Sequence, residues 1–463
     1  MEGHVARLAP SRRRRVSLLL ITLISGATLA FLAYLAFVPV PGGGAAGTSG
    51  GLIHQWRSRC QQDPARAPTS LSHIVFGIGG SARTWSRRRG YVELWWRPGT
   101  TRGHVWLDEE PPAGSWPAAT SPPYRVSPGA YSRFGRLAAA SRMARIVADS
   151  FAAVANATGE DDGGGSGSEE VRWFVMGDDD TVFFPDNLVA VLRKYDHEQA
   201  YYVGAPSESV AQNLRHSYGM AFGGGGFALS YPAAAELAGV IDGCIDRYRD
   251  LFGSDERVHA CLSELGIPLT REPGFHQLDL HGNAYGLLSA HPVTPLLSLH
   301  HLDNIGPISP QGRTPLDAVR TLVNAAQIDP ARSLQQAFCY HEDSGGYNWP
   351  WRPDDACARP FAFFLSYHAR NETDGAAATV TEYSRHVAAG EKSTEKECDK
   401  PNFRSAAAVQ TVRVLAPKMN PADWERAPRR QCCETAWAGR GSVLEVRIGR
   451  CRRGELTVVS STP

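Results

Sequence analysis

The sequence predicts an α/β domain built on a parallel sheet, placed behind an amino-terminal membrane anchor and followed by a β-rich carboxy-terminal extension. Three observations carry this. From residue 73, apolar runs ending in glycine or acidic turns alternate with stretches of helical period, the pattern of βαβ units. Ahead of them stands an uncharged apolar run, Val16 to Val38, and beyond about residue 330 strand-like segments take over. At 463 residues the chain exceeds the roughly 250–300 residues at which one core stops growing, so two folded units are expected.

Taken in order, the first 15 residues carry Arg7 and Arg12 to Arg15 against Glu2 and form a basic cytosolic tail. The 23 residues 16–38 would span roughly 35 Å as a helix, enough to cross a hydrocarbon core of about 30 Å. A cleaved signal peptide has a shorter apolar part, about 7–15 residues, and PVPGGG is a poor cleavage site. The run therefore reads as an uncleaved signal-anchor, and arginines before it place everything after about residue 40 in the lumen. Residues 39–70, rich in Gly, Pro, Ala and Gln, read as a stem, residues 71–330 as the catalytic domain and 331–463 as the extension. All nine cysteines lie beyond the anchor, where disulfides persist; none forms a CxxC pair, so zinc is not expected. Asn156-Ala-Thr and Asn371-Glu-Thr are glycosylation acceptors that agree with a lumenal address.

The 48 Lys+Arg against 47 Asp+Glu exclude a nucleic-acid binder with a basic surplus, and 43% apolar residues exclude a disordered chain. Beyond the cytosolic tail, 43 basic residues face 46 acidic ones. A slightly acidic lumenal body suits a site in which a cation, not a basic patch, meets an anionic substrate.

HIVFGIGGS begins the domain as a strand and glycine turn, a helix is expected from about Ala82 to Trp95, and HVWL is the next strand, ending at Asp108-Glu109-Glu110. Apolar residues at helical spacing follow from Phe134 to Val154. The polar stretch GEDDGGGSGSEE is a loop, VRWFVMG a strand, the segment from Pro185 to Tyr195 a short helix, and YYVGAP a strand. Pro232 opens a helix running to about Phe252, and ERVHACLSELG is helical with Gly266 as its stop. FAFFLS, AVQTVRVL and VLEVRIG are strands of the extension, which holds six of the cysteines counting Cys339.

The chemistry concentrates in WFVMGDDDTVFF. A buried strand delivering Asp178, Asp179 and Asp180 must offset their mutual repulsion, and a divalent cation does so most simply. An Asp-x-Asp pair holding Mn²⁺ or Mg²⁺ against a nucleotide-sugar diphosphate is the first reading. The aspartyl-nucleophile signature of haloacid-dehalogenase phosphatases also fits Asp178-x-Asp180-x-Val182, but it opens its own domain, whereas about 100 residues of α/β pattern precede these acids. In FGGGGFALSYP, Gly223 to Gly226 permit close backbone approach to a ligand or a bend in the sheet. Asp255 and Glu256 stand at a helix start, where the helix dipole keeps a carboxylate ionised, as a general base requires; such acids are also common caps. His276, His300 and His301 could complete a metal shell. GIGGSA formally matches a dinucleotide fingerprint, a weak signal in a glycine-rich chain.

The order of these pieces resembles the Fringe-like glycosyltransferases of family 31, most closely the plant branch filed as domain of unknown function 604. The residues carrying the resemblance are HIVFGIGGSARTW, YVELWWRPGTTRGHVWLDEE, WFVMGDDDTVFF, YVGAPSES, AFGGGGFALSYP, SDERVHACLSELGIPLTREPGFHQLDLHG and HPVTPLLSLHHLD. The resemblance implies a GT-A, Rossmann-like nucleotide-sugar-binding fold, Mn²⁺ dependence (Mg²⁺ as the substitute), a UDP-sugar donor and inversion with a β1,3 bond formed to a glycan or glycoprotein. It implies that Asp179 and Gly224, Gly225 and Gly226 meet the donor and that Asp180, with Asp178, binds the metal. The family's Phe-His motif falls nearest His276, with His300 the alternative ligand. The second acid of the pair, Glu256, takes the place of the base, and Asp255-Glu256 stands where Asp-Asp is usual, which keeps Asp255 in play. Two further readings are a lumenal GT-A protein that binds UDP-sugar or glycan without turnover, and a calcium-dependent glycan-binding module, against which the βαβ order speaks.

Overall fold

A computed structural model describes residues 67–129, 131–159, 170–282, 284, 295–309, 312–330, 361–371, 378–387, 408–419 and 431–450. The segments read from the sequence as cytosolic tail, anchor and nearly all of the stem fall in 1–66 and lie outside the described residues, as do Cys60, Cys339, Cys357, Cys398 and Cys451. Among the described residues no helix is long and apolar enough to cross a membrane.

The domain is α/β. Its main sheet comprises β1 (Ile74–Gly79), β2 (Arg102–Leu107), β3 (Tyr124–Val126), β4 (Trp173–Asp178), β6 (Tyr202–Gly204), β7 (Phe227–Ser230) and β8 (Leu269–Arg271), in the order β3-β2-β1-β4-β7-β6-β8. The half β3-β2-β1-β4 is wholly parallel. After β1 the chain runs outward through α1 (Trp85–Glu93), β2 and β3, then returns through α2 (Ala138–Gly159) to place β4 on the other side of β1. The carboxyl ends of β1 and β4 therefore form a switch point, the crevice where open α/β sheets bind ligands.

The other half departs from the expected parallel sheet, because β7 runs antiparallel to both β4 and β6. Gly204 at the end of β6 pairs with Phe227 at the start of β7, so β7 begins at the edge where β6 stops and no crossover reverses it. A small sheet of β5 (Val182–Phe183), β10 (Ser298–Leu299) and β9 (Phe275–His276), in that order, was not legible in strands of two residues.

Strand parity builds two cores. Ile74, Phe76, Ile78, Trp173 and Val175 face α1, α3 (Pro185–Leu192) and α7 (Pro315–Ile328). Val75, Phe174, Met176 and Leu229 face α2, α5 (Tyr231–Arg247) and α6 (Ser254–Glu264). Burial on both faces explains why these strands read as continuous apolar runs; each such side chain contributes about 1.5–3 kcal/mol. Phe76, Trp95 and Phe183 form an aromatic cluster with centroids 4.9–5.5 Å apart, and Trp95 Nε1 donates to the carbonyl of Thr181 (3.0 Å), tying this core to the acid turn. Cys244 and Cys261 form a disulfide that joins α5 to α6, and Cys432 and Cys433 each take part in a disulfide.

The carboxy-terminal β-rich expectation holds: β11 (Ala362–Asn371), β12 (Ala378–His386), β13 (Thr411–Pro417), β14 (Cys432–Ala438) and β15 (Val443–Gly449) form one sheet in the order β11-β12-β13-β15-β14.

Candidate active site

The acid turn caps β4. Thr181 accepts the Asp178 N–H on its hydroxyl oxygen (2.9 Å), donates that hydroxyl to the Gly224 carbonyl (2.7 Å) and returns its own N–H to Asp178 (3.1 Å). One side chain thus folds the turn and fastens it to the glycine segment. Asp179 accepts from Arg88 (2.9 Å) and Thr84 (3.3 Å), both at the start of α1. Arg88 also pairs with Asp180 at 3.3 Å.

His300, immediately after β10, brings its Nε2 to 3.1 Å from Asp180 and 3.7 Å from Asp178. One ligand atom from each of Asp178, Asp180 and His300 lies within 4.8 Å of the others, a group able to hold a metal ion. The side chains fit that purpose: Asp180 Oδ1 is buried with the His300 Nε2 beside it, and two carboxylates suit Mn²⁺ or Mg²⁺ while the added imidazole favours Mn²⁺. Burial, reinforced by Asp180, Asp179 and Asp255, pushes the Asp178 carboxyl up to about 7 against the opposing charge of His300. Burial acts on Asp180 in the same direction, but His300 and Arg88 overcome it and hold it at about 2. Burial disfavours the charged form of His300, yet Asp180 and Asp178 outweigh it and raise its pKa.

These shifts predict the pH dependence of cation binding. Ligation needs Asp178 ionised and His300 neutral, so protons compete with the metal below about pH 7. Mn²⁺ affinity, followed by the loss of the free-ion paramagnetic resonance signal, should fall about tenfold or more per pH unit between 7 and 5.5. A flat profile would remove these two groups from the metal shell.

His276, the nearer match to the Phe-His motif, stands elsewhere. Its Nδ1 meets Glu208 Oε1 at 2.7 Å while Glu208 Oε2 accepts the Leu278 N–H at 2.8 Å, so Glu208 clamps the turn after β9. His276 is paired in register with Leu299 and supports His300 through a backbone bond from His300 N to its carbonyl (3.1 Å). His301 adopts φ +52° and stacks on His300 with centroids 3.8 Å apart, its Nδ1 2.7 Å from Asp279.

The close approach permitted by the glycine segment is to groups of the protein itself. A Cβ on Gly224 would lie 2.1 Å from Cε1 of His300, whose ring occupies that space. Gly226 has φ +85° and a Cβ there would meet Phe183 at 2.7 Å. Gly225 donates its N–H to Gln277 (2.5 Å), and Gly223 donates to Asp255 (3.1 Å). Gly224→Ala should therefore displace the His300 ring and weaken Mn²⁺ binding about 10–100-fold, the range for supports of metal ligands. Unchanged Mn²⁺ titration would show that His300 is free to retreat.

Asp255 and Glu256 open α6 with Gly253 as its N-cap. Glu256 Oε2 accepts the Gly253 N–H (2.7 Å) and Oε1 meets His216 Nδ1 at 2.7 Å. Burial raises the Glu256 pKa, but the Gly253 N–H and His216 prevail and hold it below the ordinary value. Asp255 accepts from Gly223 on one oxygen and from the Glu256 N–H on the other (2.9 Å), with burial raising its pKa. Asp178, Gly223, Ser254 and Asp255 line one narrow cavity, which brings Asp255 of the acid pair to the same space as Asp178 of the metal group; Glu256 is not among its lining residues. Fully buried Arg257 donates to the carbonyls of Arg249 (3.1 Å) and Gly253 (3.0 Å), fixing the loop that presents the pair.

No curated protein matches the chain. Two solved structures align at 12% identity: an active-site mutant of LgtC (TM-score 0.30, 52% of this chain and 89% of that one), and the galactosyltransferase LgtC in complex with donor and acceptor sugar analogues (TM-score 0.31, 54% and 93%). At these scores the likeness decides nothing about chemistry, which rests on the geometry above. Residues 212–351 and 346–433, which include the glycine segment, the acid pair, His276, His300 and three whole strands of the carboxy-terminal sheet, match the family model described as protein of unknown function, DUF604.

Proposed function

We propose that the protein is an inverting glycosyltransferase that moves a hexose or N-acetylhexosamine from a UDP-sugar to a glycan or glycoprotein acceptor, forming a β1,3 bond. The observation that supports this reading is the convergence of Asp178, Asp180 and His300 with the acid-bearing start of α6 at the switch point of the sheet. A bound Mn²⁺ or Mg²⁺ supplies charge that stabilises the departing diphosphate. Asp179, oriented by Arg88 and Thr84, borders the donor.

Glu256 is the base in this reading, because the Gly253 N–H and His216 hold it ionised, whereas burial raises the pKa of Asp255. The acceptor hydroxyl attacks the anomeric carbon opposite UDP, the new glycosidic bond forms as the bond to the diphosphate breaks, and the proton passes to Glu256. The disulfides agree with an oxidising compartment, and the proposed setting is a single-pass type II Golgi membrane protein with this domain in the lumen.

A second reading, binding without turnover, draws on Glu256 folding back onto the Gly253 N–H, which occupies part of its hydrogen-bonding capacity. The discriminating experiment incubates the full-length protein with Mn²⁺ and UDP-galactose, UDP-glucose or UDP-N-acetylglucosamine and measures UDP release. Release from one donor, lost with EDTA, is expected. UDP binding with no release from any donor would establish the second reading instead.

A further inference from the structure

Large exposed apolar side chains lie in the two segments that bond Glu256. Val210 (62% exposed), Leu214 (74%) and Tyr218 (42%) lie on or just beyond α4 (Val210–Arg215), and Phe252 (68%) lies just before α6. Single exposed apolar residues are common on protein surfaces; these four are set apart by their place in the chain. One oxygen of Glu256 meets His216, two residues before Tyr218, and the other meets the N–H of Gly253, the residue after Phe252. The carboxylate is thus straddled by two segments, each carrying an exposed aromatic ring.

Both segments are fixed from behind. Arg271 donates to the Tyr218 carbonyl (2.6 Å), and His216 packs edge-on against Phe222 at 6.1 Å. Buried Arg257 holds the loop that carries Phe252. Rings on a backbone secured in this way lose little freedom when a ligand arrives.

We propose that Tyr218 and Phe252 form the acceptor platform, on which a pyranose ring of the acceptor glycan rests its C–H face and presents a hydroxyl to Glu256. This rests on the transferase reading. A sugar ring has an apolar face and a hydroxylated rim, and the patch offers aromatic surface around a carboxylate and an imidazole. Sites of that make-up, apolar walls with a few placed polar groups, recognise such ligands. An acyl chain laid across the same surface would bury the Glu256–His216 pair without replacing its water, which is unfavourable.

The test uses the full-length protein with methyl β-galactopyranoside, methyl β-glucopyranoside and chitobiose. Binding is read by saturation-transfer NMR, which needs no turnover, and acceptor KM is read with the active donor. Phe252→Ala and Tyr218→Ala should each weaken glycoside binding, and raise acceptor KM, about tenfold, with donor KM moving less than twofold. Phe252→Trp should restore binding, and Tyr367→Ala, an exposed ring on β11, should change neither quantity. Unchanged glycoside affinity in both alanine variants, or an equal rise in donor KM, overturns the platform. So does a loss of phosphatidylcholine-vesicle binding in those variants with glycoside affinity intact, which would make the patch membrane-facing. Glycoside binding lost in the variants while no donor turns over would support the platform and overturn only the transferase reading.

Discussion

Asp180→Ala is expected to abolish metal-dependent UDP release, lowering kcat by about 10²–10³, the several kcal/mol that charge stabilisation by a bound metal supplies. Asp180 is the best-prepared ligand of the three, held ionised at about 2 by His300 and Arg88. Its removal leaves Asp178 as the nearest carboxylate to His300 among the described residues and frees Arg88 to pair with Asp179 alone. The fold should survive, because the variant removes one of three mutually repelling carboxylates and leaves the Thr181 bonds that shape the turn. The measurement is UDP release against Mn²⁺ concentration, with circular dichroism confirming the fold. Full turnover in the variant would remove the metal mechanism altogether.

Glu256→Gln should lower kcat about 10²–10⁴-fold with UDP-sugar and Mn²⁺ affinities retained, as loss of a general base does. Gln keeps the shape and still accepts the Gly253 N–H, so the start of α6 is preserved. Asp255→Asn is the informative partner. Its oxygens hold Gly223 and the Glu256 N–H, so this variant should perturb the glycine segment and cation binding more than the chemical step. If Asp255→Asn instead abolishes turnover with binding unchanged while Glu256→Gln remains active, the base is Asp255.

Much of the core was legible. β1, β2 and β4 are apolar runs because both faces of the sheet are covered, and α5 and α6 announce themselves by Pro232 at the helix start and by Gly266, at φ +71°, after the helix end. The helix α7 was missed although Thr314 accepts the Asp317 N–H and Pro315 opens it, a start signal present in the residues. Of the site, the acid triplet and the acid pair could be named, since each is a contiguous run with its own chemistry. Arg88, Thr181, His216 and Glu208 could not, because their partners lie 40 to 91 residues away.

The sequence by itself determined the acids, the glycines and the histidines, and that a carboxylate-rich turn ends a buried strand. Only the tertiary structure decided that His300, and not His276, joins Asp178 and Asp180, and that Gly224 makes room for its ring. The reason is that β10 pairs with β9 in a register that sets Leu299 beside His276 and sends the next residue toward β4. Pairing between strands more than 20 residues apart is chosen by packing across the whole core, and no local pattern encodes it.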